Sequence, residues 1–212
     1  MQAFLADSST GGYLPPISLP PVSDLELDTL IQGLIAGITG LPGDLVLPRW
    51  QDQPEDEGGA RPRIPDRATT WCAVGVTVTD SDDRPALNHS GEGDGSTTLR
   101  RFDTLDVLAT FYGPKNDAYA RLVRDGFYIS QNREEMYRNG LGFIGCDPIR
   151  RIPEIKGMGT RRRSDLSFRL IHRVERTFAI LNVLEGVGTI IADGQSQDGP
   201  MVTTTPFKAP ET

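Results

Sequence analysis

Between Thr104 and Phe111 the chain alternates, with Leu105, Val107, Ala109 and Phe111 on one side and Thr104, Asp106 and Thr110 on the other. A period of two marks a half-buried strand. At Gly113-Pro114 the period changes, because proline gives no N–H to a sheet ladder and its fixed φ suits a helix entry. From Lys115 onward Ala118, Leu122, Gly126 and Ile129 recur at helical spacing, and Val123 and Phe127 widen the face. Residues 97–132 therefore predict a long strand feeding an amphipathic helix, on which the rest must pack.

The same reading places the other elements. Ser23-x-x-Glu26 is a capping box, and Val22 with Leu27 makes its hydrophobic staple. Leu27, Leu30, Ile31, Leu34, Ile35 and Ile38 form one apolar stripe, and Gly40 with Pro42 ends the helix. Gly33 and Gly37 would allow another backbone to approach, although a core within one copy accounts for them equally well. Residues 45–50 read as a short edge strand, since proline is confined to edges. Residues 51–67 form an acidic loop longer than an ordinary connection. Residues 69–79, apolar on both faces, suit a central covered strand, and residues 80–96 a second long loop. A short helix opens near Asn132, with Glu135 in its first turn, and stops at Asn139-Gly140. Residues 141–146 form a short strand, and the GMG of residues 157–159 a hairpin tip. Residues 161–178 form a second long strand with Leu166, Phe168, Leu170, His172 and Val174 on its apolar side. A last short strand is expected at residues 188–192.

These elements predict an α+β fold: a mostly antiparallel, mixed sheet flanked by helices, with extended N- and C-terminal arms. Residues 1–22 are the Pro/Gly-rich arm, residues 23–185 a single domain, and residues 186–212 a short strand and mobile tail. In 212 residues, 37 % of them apolar and 24 % charged, there is room for one sizeable soluble core. No apolar run reaches the ~20 residues needed to span a bilayer, and the N-terminus lacks a secretory signal pattern. Cys72 and Cys146 have no partner at CxxC spacing, so reduced thiols of a protein made in the cytoplasm are expected.

The net charge of −7 argues against general affinity for nucleic acid, and its distribution says more. Residues 1–60 carry nine acids, among them Asp52, Glu55, Asp56 and Glu57, against the single base Arg49. Residues 149–176 reverse this, with Arg150, Arg151, Lys156, Arg161, Arg162, Arg163, Arg169, Arg173 and Arg176 against Glu154, Asp165 and Glu175. Two readings fit: differently solvated faces, or an acidic surface of one copy meeting a basic surface of the next.

Catalytic chemistry finds little support. His89 and His172 have no ligand partners at helical or turn spacing, and His172 reads as a core histidine. The acids of residues 80–94 miss the calcium-loop spacing. In GEGDG (residues 91–95), Glu92 and Asp94 would repel phosphate. Cys72 has no nearby base. No metal site, cofactor site or catalytic residue is expected. Arg161, Arg162 and Arg163 are the densest charge, and Asp165 two residues on favours a protein contact over DNA.

Four segments together resemble the neck or tail-terminator proteins of tailed bacteriophages, particularly contractile-tailed ones. They are IQGLIAGITGLPGDLVLPRW (31–50), TTWCAVGVT (69–77), FYGPKNDAYARLVRDGFYISQNREEM (111–136) and RRRSDLSFRLIHRVERTFAILNVL (161–184). The resemblance implies a virion structural protein, assembled in the host cytoplasm and carried in the neck. It implies a ring, usually of six copies, that caps the tail tube and sheath, stops polymerisation and joins the tail to the head connector. Genomic DNA would pass its channel without specific binding. No membrane partner is implied. If DNA passes, an acidic or neutral lining is required, so Asp82, Asp83, Glu92 and Asp94 are the expected channel- or end-facing residues. Arg161, Arg162, Arg163, Arg169 and Arg173 are the expected contacts to a neighbouring subunit or tail protein. Alternatives are a head-completion, connector or tube-end protein of the same virion and, from another class, a small metal-dependent hydrolase.

Overall fold

The computed structural model describes residues 7–9, 11–49, 64–156, 159–183, 185–192 and 201–208. The acidic loop of residues 51–67 lies mostly outside them. Contacts divide the chain into two compact units, one of residues 19–86 and 100–176, the other of residues 1–18, 87–99 and 177–212.

The larger unit opens with α1 (Asp24–Thr39). Ser23 holds the N-cap position without a side-chain bond, and its carbonyl accepts from the amides of Glu26 and Leu27. The expected capping box is therefore not made; the chain enters the helix through Asp24 at φ 49. Gly40 closes the helix by donating its amide to the Ala36 carbonyl. A 3₁₀ turn (Gly43–Leu45) leads to β1 (Val46–Pro48), the sheet edge, which runs parallel to β2 (Trp71–Ser81). The first half of β2 is covered as expected, but from Thr77 onward it is exposed.

β4 (Ser96–Tyr112) is antiparallel to β2 and buries Leu105, Val107, Ala109 and Phe111 as the alternation requires. Next come α2 (Asn116–Gly126) and α3 (Ser130–Arg138). The buried face of α2 is Asn116, Ala120, Val123 and Gly126, while Ala118 and Leu122 face solvent. The expected face was thus turned around the helix axis, because α2 carries apolar residues on both sides and stops at Gly126. Asn132 lies inside α3 rather than capping it; its side-chain amide donates to the Gly126 carbonyl at 2.9 Å.

β5 (Leu141–Cys146) is antiparallel to β9 (Arg163–Phe178), which also pairs β6 (Arg150–Arg151). The hairpin of β7 (Glu154–Lys156) and β8 (Gly159–Arg161) sets Lys156 opposite Gly159; residues 157 and 158 of the expected tip lie outside the described residues. The main sheet runs β1-β2-β4-β9-β5. Ile31, Ile35, Ala120, Val123, Phe127 and Met136 of the helical segments share one core with Val74, Leu105, Phe111, Leu166, Phe168 and Leu170 of the sheet. Helices thus cover one sheet face. Each fully buried large side chain contributes roughly 1.5–3 kcal/mol, against roughly 0–1 kcal/mol for an exposed ion pair, so the core holds this unit together.

Residues 80–96 are not one loop, since β3 (Ala86–Ser90) lies within them and pairs β4; from residue 87 to residue 99 the chain belongs to the smaller unit. The N-terminal arm is not free over its described length. Ser8 and Ile17 donate their amides to the carbonyls of Ala179 and Thr177, and the Ser18 hydroxyl accepts from the Thr177 amide. β10 (Glu185–Ala192) is longer than expected. Residues 201–208, read from the sequence as tail, form β11 (Met201–Lys208), antiparallel to β10 over eight pairs.

Candidate functional site

The four candidate acids fall in two turns and all are exposed. Asp82 and Asp83 follow β2 in the larger unit; the Asp82 carboxylate accepts from the Arg84 amide at 2.9 Å. Glu92 and Asp94 sit in the β3–β4 turn of the smaller unit. That turn is built around Asn182, which no sequence signal singled out. Its side-chain amide donates to the carbonyls of Gly91 and Gly93, both at 3.1 Å, and its backbone amide donates to Asp94 at 3.0 Å. A side-chain nitrogen committed to two carbonyls leaves Oδ1 as acceptor. His89 Nε2, 3.0 Å away, must then carry a proton, and Nδ1 lies 3.0 Å from the Thr97 hydroxyl. Gly95 stands at φ 99, and a Cβ there would lie 2.6 Å from Asn182 Oδ1. The turn thus presents two carboxylates on a fixed backbone.

The arginine triplet is split by the fold. Arg161 is 7 % exposed, and its guanidinium lies 5.4 and 5.3 Å from the ring centres of Trp71 and Tyr112. Those rings stack on each other 4.4 Å apart, across the Trp71–Tyr112 register pair of β2 and β4. Arg161 also donates to the Pro65 carbonyl at 2.8 Å. Arg163 forms a fork with Asp165 at 2.8 and 2.7 Å. Arg162 is exposed. Arg169 and Arg173 are exposed on the outer side of β9, Arg173 at 3.9 Å from Glu175.

Arg161, Arg162 and Arg163 do meet, with Arg151, in a cleft of about 410 Å³ in which Asp117 is the one acidic lining residue among the described residues. Arg151 grips Asp117 with two bonds, 2.9 and 2.6 Å, and Arg121 adds a third at 2.9 Å. The bonds from Arg151 and then Arg121 hold the Asp117 carboxyl below its usual range. Nothing in the sequence joins Asp117 to Arg151, thirty-four positions apart; only the return of β6 to β9 does so.

A second hollow, about 470 Å³ and apolar, lies between α1 and α3, lined by Leu30, Gly33, Leu34, Gly37 and Met136 among others. A Cβ on Gly33 or Gly37 would meet nothing within 4 Å, so packing within the chain does not require either glycine. Burial pushes the Cys72 thiol far up and the Cys146 thiol up to about 11, which keeps both protonated near neutrality. Among the described residues no group of three or more His, Cys, Asp or Glu is placed to hold a metal ion, and no helix is long and apolar enough to cross a membrane.

Residues 25–198 match a family model described as phage neck terminator protein. No curated protein matches the chain.

Proposed function

The chain belongs to the phage neck terminator protein family, a structural component of the virion neck, and from that premise we propose how it works there. Copies assemble head-to-tail into a homohexameric ring on the end of the tail tube and sheath of a contractile tail. The ring stops polymerisation and offers the head connector a docking surface. Genomic DNA passes through its channel, and the protein makes and breaks no covalent bond. Assembly takes place in the host cytoplasm.

The family match over most of the chain carries this reading. The two acidic turns support the channel, since exposed carboxylates repel phosphate and let DNA slide; Asp82, Asp83, Glu92 and Asp94 are assigned to its lining or ends. The arginine-rich cleft and the outer arginines Arg169 and Arg173 supply a basic surface for a neighbouring subunit or tail protein. Because Arg161 and Arg163 also support the fold, the surface is best probed at Arg162. Negative-stain electron microscopy of the purified protein, alone and with tail tube protein, tests the proposal. Six-fold rings and capped tubes of fixed length are expected. A protein that stays single and leaves tube growth unchanged overturns it.

A further inference from the structure

We propose that the cleft lined by Arg151, Arg161, Arg162 and Arg163 is a carboxylate receptor, and that its occupant is the acidic segment of residues 52–57 from a second copy of this chain. The inference rests on the ring reading above and names the contact that closes it.

Three of the four guanidiniums are already fixed: Arg151 by Asp117, Arg163 by Asp165, and Arg161 between the Trp71–Tyr112 stack and the Pro65 carbonyl. A preorganised cation loses little side-chain freedom when a partner arrives. Two groups remain to be used. Arg161 Nε is buried with no hydrogen-bond partner among the described residues, an arrangement that costs free energy until an acceptor reaches it. Arg162 is exposed, and its side chain has no partner among the described residues. Guanidinium groups recognise carboxylates through paired N–H donors; with Asp117 on Arg151 and Asp165 on Arg163, Arg161 and Arg162 have no carboxylate partner among the described residues, which leaves the cleft positive. Phosphate of DNA would fit the same donors, but a chain of net charge −7 repels a polyanion overall.

Residues 52–57 lie outside the described residues, and their chemistry is complementary. Asp52, Glu55, Asp56 and Glu57 put four carboxylates into six positions with no base. A head-to-tail ring needs two different surfaces on each copy, and the segment and the cleft supply one each.

The test uses two variants of the full chain in sedimentation velocity. The first carries Arg162→Glu with Arg151→Ala; the second carries Asp52→Lys, Glu55→Lys, Asp56→Lys and Glu57→Lys. Each alone should stay monomeric where the unmodified chain assembles, with circular dichroism showing both folded. Mixed in equal amounts they should form a heterodimer, because one intact cleft then meets one intact segment. Assembly of either variant alone, or a mixture that stays monomeric, overturns the proposal. A labelled peptide of residues 51–59 gives a second readout. It should bind the lysine variant and lose about tenfold in affinity for a chain carrying Arg162→Glu; equal binding overturns the proposal. If the unmodified chain never assembles, the ring reading fails, and the peptide titration still decides what the cleft binds.

Discussion

Gly113 stands at φ 97, where the strand period gives way to the helical one, and a Cβ there would lie 2.4 Å from the Thr69 carbonyl oxygen. No L side chain fits that backbone and that space together. Gly113→Ala should therefore cost about 1–3 kcal/mol in urea unfolding. His172 is 4 % exposed on the apolar side of β9, and burial, only partly offset by Asp103, pulls its pKa below the ordinary 6.5. With the folded value depressed, its contribution to stability is complete above 6.5 and is lost as pH falls toward the folded value. Unfolding free energy should drop as pH falls below about 6.5, and His172→Gln should flatten that slope relative to the parent. The same residues show what was legible. His172 was readable as core from its place on an alternating strand. Asn182 was not, because its partners at residues 89–95 lie about ninety positions away.

At the scale of elements, the acidic turn of residues 91–95 takes its shape from Asn182. Asn182→Ala removes two side-chain donors to backbone carbonyls, about 0.5–1.5 kcal/mol for each bond. Amide exchange at Gly95 should speed up in that variant, while the amides of α1 keep their protection. β10 pairs over its whole length with β11, so truncation before residue 199 should release the β10 amides to rapid exchange. Long strands announced themselves, because seventeen or sixteen residues repeat the period of two often enough to fix the buried side. The short helices did not. In α2 the apolar residues Ala118 and Leu122 compete with Ala120 and Val123 for the core, and only the position of Phe127 against Phe143 and Phe168 decides between them. β3 and β11 were hidden for another reason. Neither repeats an apolar–polar alternation long enough to mark a buried side, and a pairing partner leaves no local periodicity.

At the scale of the whole molecule, the segregation of charge makes the proposed assembly an electrostatic matter. Opposite charges exposed on two copies are screened once the Debye length falls below their separation. Assembly of the unmodified protein should therefore weaken as salt is raised from about 0.05 M to about 0.5 M, followed by light scattering. Assembly that is indifferent to salt would place the contact on the apolar hollow between α1 and α3 instead. By itself the sequence determined the class of fold, the two long strands, the core side of α1 and the family, since those reside in periodicity and in runs of residues that neighbours in the chain can read. Only the tertiary structure decided that Arg161 is buried on two rings, that Arg163 is tied to Asp165 in a fork, and that Arg151 joins them across from Asp117. Charge is written residue by residue along the chain. Whether a guanidinium is spent on its own fold or left for a partner depends on burial and on groups brought from distant positions, which exist only once the sheet has formed.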